Sequence, residues 1–62
     1  MKLKDLEKHL KTHKCEMKRE GGNHTIWENI SNKKIASIPR HREIKNNLVR
    51  KICKELDIPP LI

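Results

Sequence analysis

Hydrophobic residues recur along the chain at two different spacings, which predict where helices and strands lie. Leu3, Leu6 and Leu10 stand three and four positions apart with charged residues between them, the pattern of an amphipathic helix with one wet face. We expect this helix over residues 2 to about 13. A second helix is predicted after Asn46 or Asn47, both suitable N-cap residues. Its broad apolar stripe consists of Leu48, Val49, Ile52, Cys53 and Leu56.

Three strands are predicted between the helices. Cys15 and Met17 alternate with charged side chains, which is the period-two pattern of a half-buried strand. Pro39 closes the last strand, because proline has no N–H to donate to a sheet ladder. The strands are expected at residues 15–19, 24–29 and 34–38.

The turns between these strands contain residues suited to them. Gly21, Gly22 and Asn23 tolerate positive φ at little cost, which favours a hairpin, and residues 31–33 supply the next turn. The sequence therefore predicts a single α+β domain over residues 1–62. In it, a three-stranded antiparallel sheet is covered on one face by two helices, and its other face stays open.

Charge narrows the classes of partner. Fifteen Lys and Arg against eight Asp and Glu give a formal net charge of +7, which favours nucleic acid, an anionic membrane face or an acidic protein. No apolar run approaches the ~20 residues of a membrane span. Charges throughout the first residues leave no signal-peptide h-region. We therefore expect a cytoplasmic chain without a membrane segment.

The residue types that bind metals are scattered. Cys15 and Cys53 lack the spacing of a zinc module, so we interpret them as free buried thiols. His9 and His13 stand at i,i+4, a spacing that binds metal, but no third ligand is evident, and we interpret them as solvated. No metal or other cofactor is expected.

The run Gly22-Asn23-His24 places an imidazole on a tight turn among cations. RNA carries its own nucleophile, the ribose 2′-hydroxyl, and histidine is suited to remove that proton near neutral pH. Hydrolysis of DNA would need activated water and grouped carboxylates, which the sequence lacks. The pattern favours RNA, although a histidine on a basic hairpin is more often an ordinary exposed residue. Candidate phosphate contacts are Lys18, Arg19, Arg40, Arg42 and Lys45.

Two residues have open alternatives. His41 is a second acid, a phosphate contact or a plain loop residue. Trp27, the single aromatic residue, either packs beneath the helices or offers a base a stacking platform. We favour packing, because so small a core can hardly spare its largest apolar side chain.

The order of these elements and motifs resembles the HicA family of bacterial toxins over nearly the whole chain. The family's basic residue, two variable positions and Gly-Ser-His correspond to Arg19, Glu20-Gly21 and Gly22-Asn23-His24. Its Pro-x-His element corresponds to Pro39-Arg40-His41. The chain departs from the family pattern at Asn23 in place of serine, at Lys14-Cys15 in place of glycine and an aromatic, and at Cys53 and Asp57 within the closing run Ile52–Ile58.

The resemblance implies a double-stranded-RNA-binding-domain-like fold and an mRNA-cleaving toxin with His24 as the catalytic residue. It also implies a HicB-type antitoxin, which we expect to cover the active hairpin. A non-catalytic RNA-binding module of the same fold is the alternative, and an adaptor for an acidic protein is a weaker one. The residues expected to contact RNA are Lys18, Arg19, Gly22, Asn23, Arg40, His41, Arg42 and Lys45.

Overall fold

A computed structural model describes residues 1–61 and shows the predicted order of elements. The three strands form one antiparallel sheet in the order β1-β2-β3, which confirms the predicted α+β arrangement of helix, three strands and helix. None of the helices in the described residues is long and apolar enough to cross a membrane. The elements are α1 (Leu3–Thr12), β1 (Cys15–Glu20), β2 (His24–Asn29), β3 (Ile35–Pro39) and α2 (Asn46–Glu55).

Both helices contribute to a core on one face of the sheet. Trp27 is only 1% exposed, and its indole Nε1 donates a 3.0 Å hydrogen bond to Thr25 Oγ1. The interpretation of Trp27 as a packing residue is therefore confirmed, and its ring is not free to stack on a base. The other core side chains are Leu6, Leu10, Cys15, Ala36, Ile38, Ile44, Val49, Ile52, Cys53, Leu56 and Ile58.

The two cysteines are free and buried, as predicted. Burial raises the pKa of both thiols above the ordinary value, and for Cys15 the proximity of Cys53 raises it further. A raised pKa keeps each thiol in its neutral form, which is the unreactive one. Both cysteines therefore act as small apolar core residues.

The prediction that Met17 lies on a buried face is wrong. Met17 pairs with Trp27 across the ladder, yet it is 45% exposed, and every β1 residue after Cys15 is exposed. The reason is the path of α1, whose first N–H, at Leu3, donates to the Arg42 carbonyl at 2.9 Å. Because α1 begins beside the connector between β3 and α2 (residues 40–45) and ends just before β1, it leaves the far half of β1 and the hairpin uncovered.

A β-bulge directs two cations toward the open face. Met17 pairs with Trp27, but the next pair joins Arg19 to Ile26, so Lys18 is the extra residue. Lys18 and Arg19 line the same cavity together with Ile26.

The β1–β2 hairpin forms where predicted, although its predicted backbone conformation is wrong. None of Gly21, Gly22 and Asn23 has a positive φ. Gly21 donates a 2.8 Å hydrogen bond to the His24 carbonyl, and a Cβ at position 21 would lie 3.3 Å from that oxygen. Close approach of the backbone therefore favours glycine at position 21.

The predicted asparagine cap of α2 is also wrong. Lys45 is the N-cap residue and makes no side-chain capping bond. Asn46 is the first helical residue, and Asn47 Oδ1 accepts a 3.0 Å hydrogen bond from Arg50 Nη1. Ile44, just before the cap, is held by a 2.7 Å hydrogen bond from its N–H to the Met1 carbonyl. This bond and the burial of Ile44 set where the helix begins.

Two residues at helix C-termini have left-handed backbones without being glycine. Asp57 follows α2 with a φ of 57°, and Lys14 follows α1 with a φ of 64°. After α2, the Ile58 N–H bonds to the Cys53 carbonyl at 3.0 Å and the Asp57 N–H to the Lys54 carbonyl at 3.1 Å. These two bonds form a Schellman motif, in which glycine is the usual residue at the position of Asp57.

We predict that Asp57→Gly stabilises the fold by about 1 kcal/mol. Glycine removes the steric cost of the left-handed backbone, and the change also removes a negative charge from a helix C-terminus. Urea unfolding at neutral pH measures the free energy. Glu55→Gly is the control, because it removes a carboxylate two positions earlier, where the backbone is helical, and is expected to destabilise by about 1 kcal/mol. Equal destabilisation by both substitutions would contradict the assignment.

Candidate functional site

His24 is the first residue of β2 and projects from the open side of the sheet. Side chains alternate along a strand, so His24 and Ile26 lie opposite to the buried Thr25 and Trp27. His24 is exposed, and its ladder partner is Pro39, the last residue of β3. A histidine placed in this way is accessible to a large ligand.

Arg40 holds the hairpin tip through both its backbone and its side chain. Its N–H donates to the Asn23 carbonyl at 2.9 Å, and its Nη1 lies 2.9 Å from Glu20 Oε2. Asn23 directly precedes His24, and Arg40 directly precedes His41. The backbone bond therefore brings the two histidines to neighbouring positions at one end of the sheet.

His24 and His41 line a single cavity of about 520 Å³. Residues of the sheet form one wall, and the connector with the start of α2 forms the other. The spacing of these two histidines along the sequence does not predict how far apart they lie, whereas the fold brings them to one cavity. The remaining lining residues are Ser37, Pro39, Glu43, Ile44, Lys45 and Leu48.

The predicted RNA-contacting cations do not all line one cavity. Lys45 lies in the cavity of His24, whereas Lys18 and Arg19 line a separate cavity of about 400 Å³ on the open sheet face. Arg42 lines a third cavity beside the start of α1. Arg40 bridges the hairpin tip, where Gly22 and Asn23 are exposed.

Two of these cations are already paired with carboxylates. Arg40 contacts Glu20 as described, and Lys18 Nζ lies 3.8 Å from Glu28 Oε2. The Arg40 and Glu20 side chains are both about half exposed, so the ion pair stabilises the fold by at most about 1 kcal/mol. A phosphate group can therefore compete for Arg40 at small cost.

The interpretation of His9 and His13 as solvated is only partly right, because both are half-buried. Their ring centroids lie 4.6 Å apart, and His9 Nε2 lies 2.7 Å from the Pro59 carbonyl oxygen. His9 thus links α1 to the segment after α2. Residues 1–61 contain no group of three or more His, Cys, Asp and Glu side chains placed to hold a metal ion.

The cavity walls were not identified from the sequence. The apolar stripe of α2 predicts Leu48 as a core residue, and Leu48 does pack against the core, but it is only half-buried. Ser37 carried one usable signal, since β3 alternates between buried Ala36 and Ile38 and leaves Ser37 on the face of His24.

A comparison with protein families identifies the group of proteins that this arrangement belongs to. A family model described as the HicA toxin of bacterial toxin-antitoxin systems matches residues 3–58. The chain belongs to the HicA toxin family. Neither a search of curated proteins nor a search of solved structures found a match.

Membership in the HicA family implies a toxin-antitoxin ribonuclease in kind, with an RNA substrate and an antitoxin partner. In this HicA-family chain, the matched region includes the hairpin, the connector and both helices. Two imidazoles and an ammonium group around one cavity are groups that transfer protons and stabilise negative charge. The side chains around this cavity are thus compatible with the ribonuclease activity in kind that the family implies.

Proposed function

We propose that this protein is a metal-independent endoribonuclease toxin that cleaves mRNA in the cytoplasm and uses His24 as its catalytic base. The supporting observation is that exposed His24 shares its cavity with His41 and Lys45. These three groups can transfer protons and stabilise negative charge during RNA cleavage without a bound metal ion.

The proposed reaction is an intramolecular transfer. His24 removes the proton from a ribose 2′-hydroxyl, whose oxygen attacks the adjacent phosphorus while the bond from phosphorus to the 5′-oxygen breaks. The leaving 5′-oxygen takes up a proton from solvent water, and protonated His24 returns its proton to water, which gives a 2′,3′-cyclic phosphate and a 5′-hydroxyl end. His41 and Lys45 contact the phosphate and stabilise its developing negative charge. The remaining cations, with Gly22 and Asn23 at the tip, bind the flanking backbone.

We predict that His24→Ala lowers the cleavage rate of a purified transcript by roughly 10²- to 10⁴-fold, the usual contribution of general acid–base catalysis. Thermal stability is expected to stay near that of the wild type because His24 is exposed, and RNA affinity is expected to fall far less than the cleavage rate because the cations that bind the backbone remain. The measurement is single-turnover cleavage with and without chelator, with the cut ends mapped. His13→Ala is the matched control, since it removes a histidine at the C-cap of α1, away from the His24 cavity.

Each contrary result has a distinct meaning. Unchanged cleavage by His24→Ala would reject the base, and inhibition by chelator would reject metal independence. RNA binding by the wild type without any cleavage would favour the non-catalytic RNA-binding module.

We predict that Glu20→Gln strengthens RNA binding by up to about fivefold at low salt and steepens its salt dependence. The change frees Arg40 from a 2.9 Å ion pair, which supplies up to one further phosphate contact. Glu16→Gln on the same strand is the control, because it removes one negative charge too, but within residues 1–61 Glu16 has no cation within 4 Å. Binding at several salt concentrations separates local from net-charge effects. Equal effects of both changes would show that net charge alone acts.

We propose further that the inhibitor is a HicB-type antitoxin with an acidic surface that covers the hairpin. The exposed tip and the net charge of +7 favour such a partner. We predict that diethylpyrocarbonate modifies His24 at least tenfold more slowly in the complex than in the free toxin, because a covered imidazole is inaccessible. Mass spectrometry of the modified peptides measures both rates, and His13 is the internal control. Inhibited cleavage with unchanged His24 reactivity would exclude occlusion.

A further inference from the structure

We infer that the cavity beside His24 is a ribonucleotide subsite, in which the base packs against Leu48 and Pro39 while the phosphate faces His24, His41 and Lys45. The inference rests on the proposed ribonuclease function and deepens it. It assigns a role in substrate selection to Leu48, a residue that is not needed for the acid–base chemistry.

The cavity has an apolar part and a positively charged part, which match the base and the phosphate of a nucleotide. Leu48 and Pro39 are half-buried and Ile44 is 2% exposed, so the inner wall is apolar. His41 and Lys45 are exposed at the rim. A nucleobase offers flat apolar faces to such a wall, and its phosphate carries the charge that such a rim attracts. The volume of about 520 Å³ is within the roughly 300–1,000 Å³ of small-ligand sites.

The state of Trp27 limits where a base can pack. Single-stranded RNA is usually held by bases stacked on aromatic side chains, but this chain has one aromatic residue among Phe, Tyr and Trp. Trp27 is buried, and its N–H is bonded to Thr25. Beside His24, the apolar surface left for a base to pack on is therefore the aliphatic wall that includes Leu48 and Pro39.

The cavity on the open sheet face is a weaker candidate. Its apolar residues include Ile35, which is 53% exposed, and one of its two cations, Lys18, is paired with Glu28. In the His24 cavity the one carboxylate is Glu43, whose Oε2 lies 3.4 Å from the Met1 amino group. That contact partly offsets the only negative charge on the lining.

A base against Leu48 has a consequence for the reaction. It holds the attached ribose near His24, so this nucleotide is the one whose 2′-hydroxyl attacks. The fit of its base then sets where the RNA is cut. Changes at Leu48 are expected to act on KM and on cleavage position more than on kcat.

Methyl NMR titrations of the full chain test the subsite directly. The probes are the four ribonucleoside 3′-monophosphates, with inorganic phosphate and ribose 5-phosphate as ligands without a base. We expect at least one nucleotide to shift the Leu48 methyl signals and to bind roughly fivefold more weakly to Leu48→Ala. Ile30→Ala is the matched control, since Ile30 is 41% exposed beyond the opposite end of β2. Thermal unfolding of both variants verifies that they are folded.

The outcomes separate this inference from the proposed function. Leu48 shifts that inorganic phosphate reproduces, or equal nucleotide affinities for Leu48→Ala and wild type, would overturn the subsite even if His24 is needed for cleavage. Nucleotide-specific Leu48 shifts in the wild type, with a weaker nucleotide affinity of Leu48→Ala measured on the Ile44 methyl signals, would support the subsite even if the protein fails to cleave RNA.

Discussion

Burial of Trp27 determines which side chains of β2 face the core and which face outward. Side chains alternate along β2, so the residue that fills the core sets the face of every other residue in that strand. With Trp27 and Thr25 inside, His24 and Ile26 lie on the open side. A slip of one residue would bury the imidazole and expose the indole. The same register of β2 therefore buries Trp27 and keeps the proposed catalytic group, His24, accessible.

The connector between β3 and α2 supplies the other side chains of the candidate site beside the exposed His24. Its backbone bonds to the hairpin through Arg40, to α1 through Arg42 and to Met1 through Ile44. These bonds fix a segment without regular secondary structure, and they bring His41 and Lys45 to the cavity that His24 lines. The site is thus assembled by main-chain hydrogen bonds, while its exposed charges remain free to exchange partners.

Periodicity predicted the helices and strands well because amphipathic patterns report which side of an element is buried. It failed where burial depends on distant segments. Met17 fits the alternating pattern of a strand but lies where α1 does not cover it. Lys45, not Asn46, is the N-cap of α2, because the burial of Ile44 sets where the helix begins. The glycines of the hairpin predicted the turn correctly, but one of them is suited to a close backbone approach at His24. The presence of a glycine in the sequence does not show whether a positive φ or a close backbone approach requires it.

The order of elements, the basic charge, the family motifs and His24 as the candidate residue are all predictable from the amino-acid sequence, because each depends on residue identities and their spacing along the chain. Folding shows in addition that Trp27 is unavailable for stacking, that Arg40 is paired with Glu20, and that the other four predicted cations line three different cavities. The fold also places His24, His41 and Leu48 around one cavity. The physical reason is that these contacts link residues far apart in sequence, whose distances depend on how the sheet, connector and helices pack together.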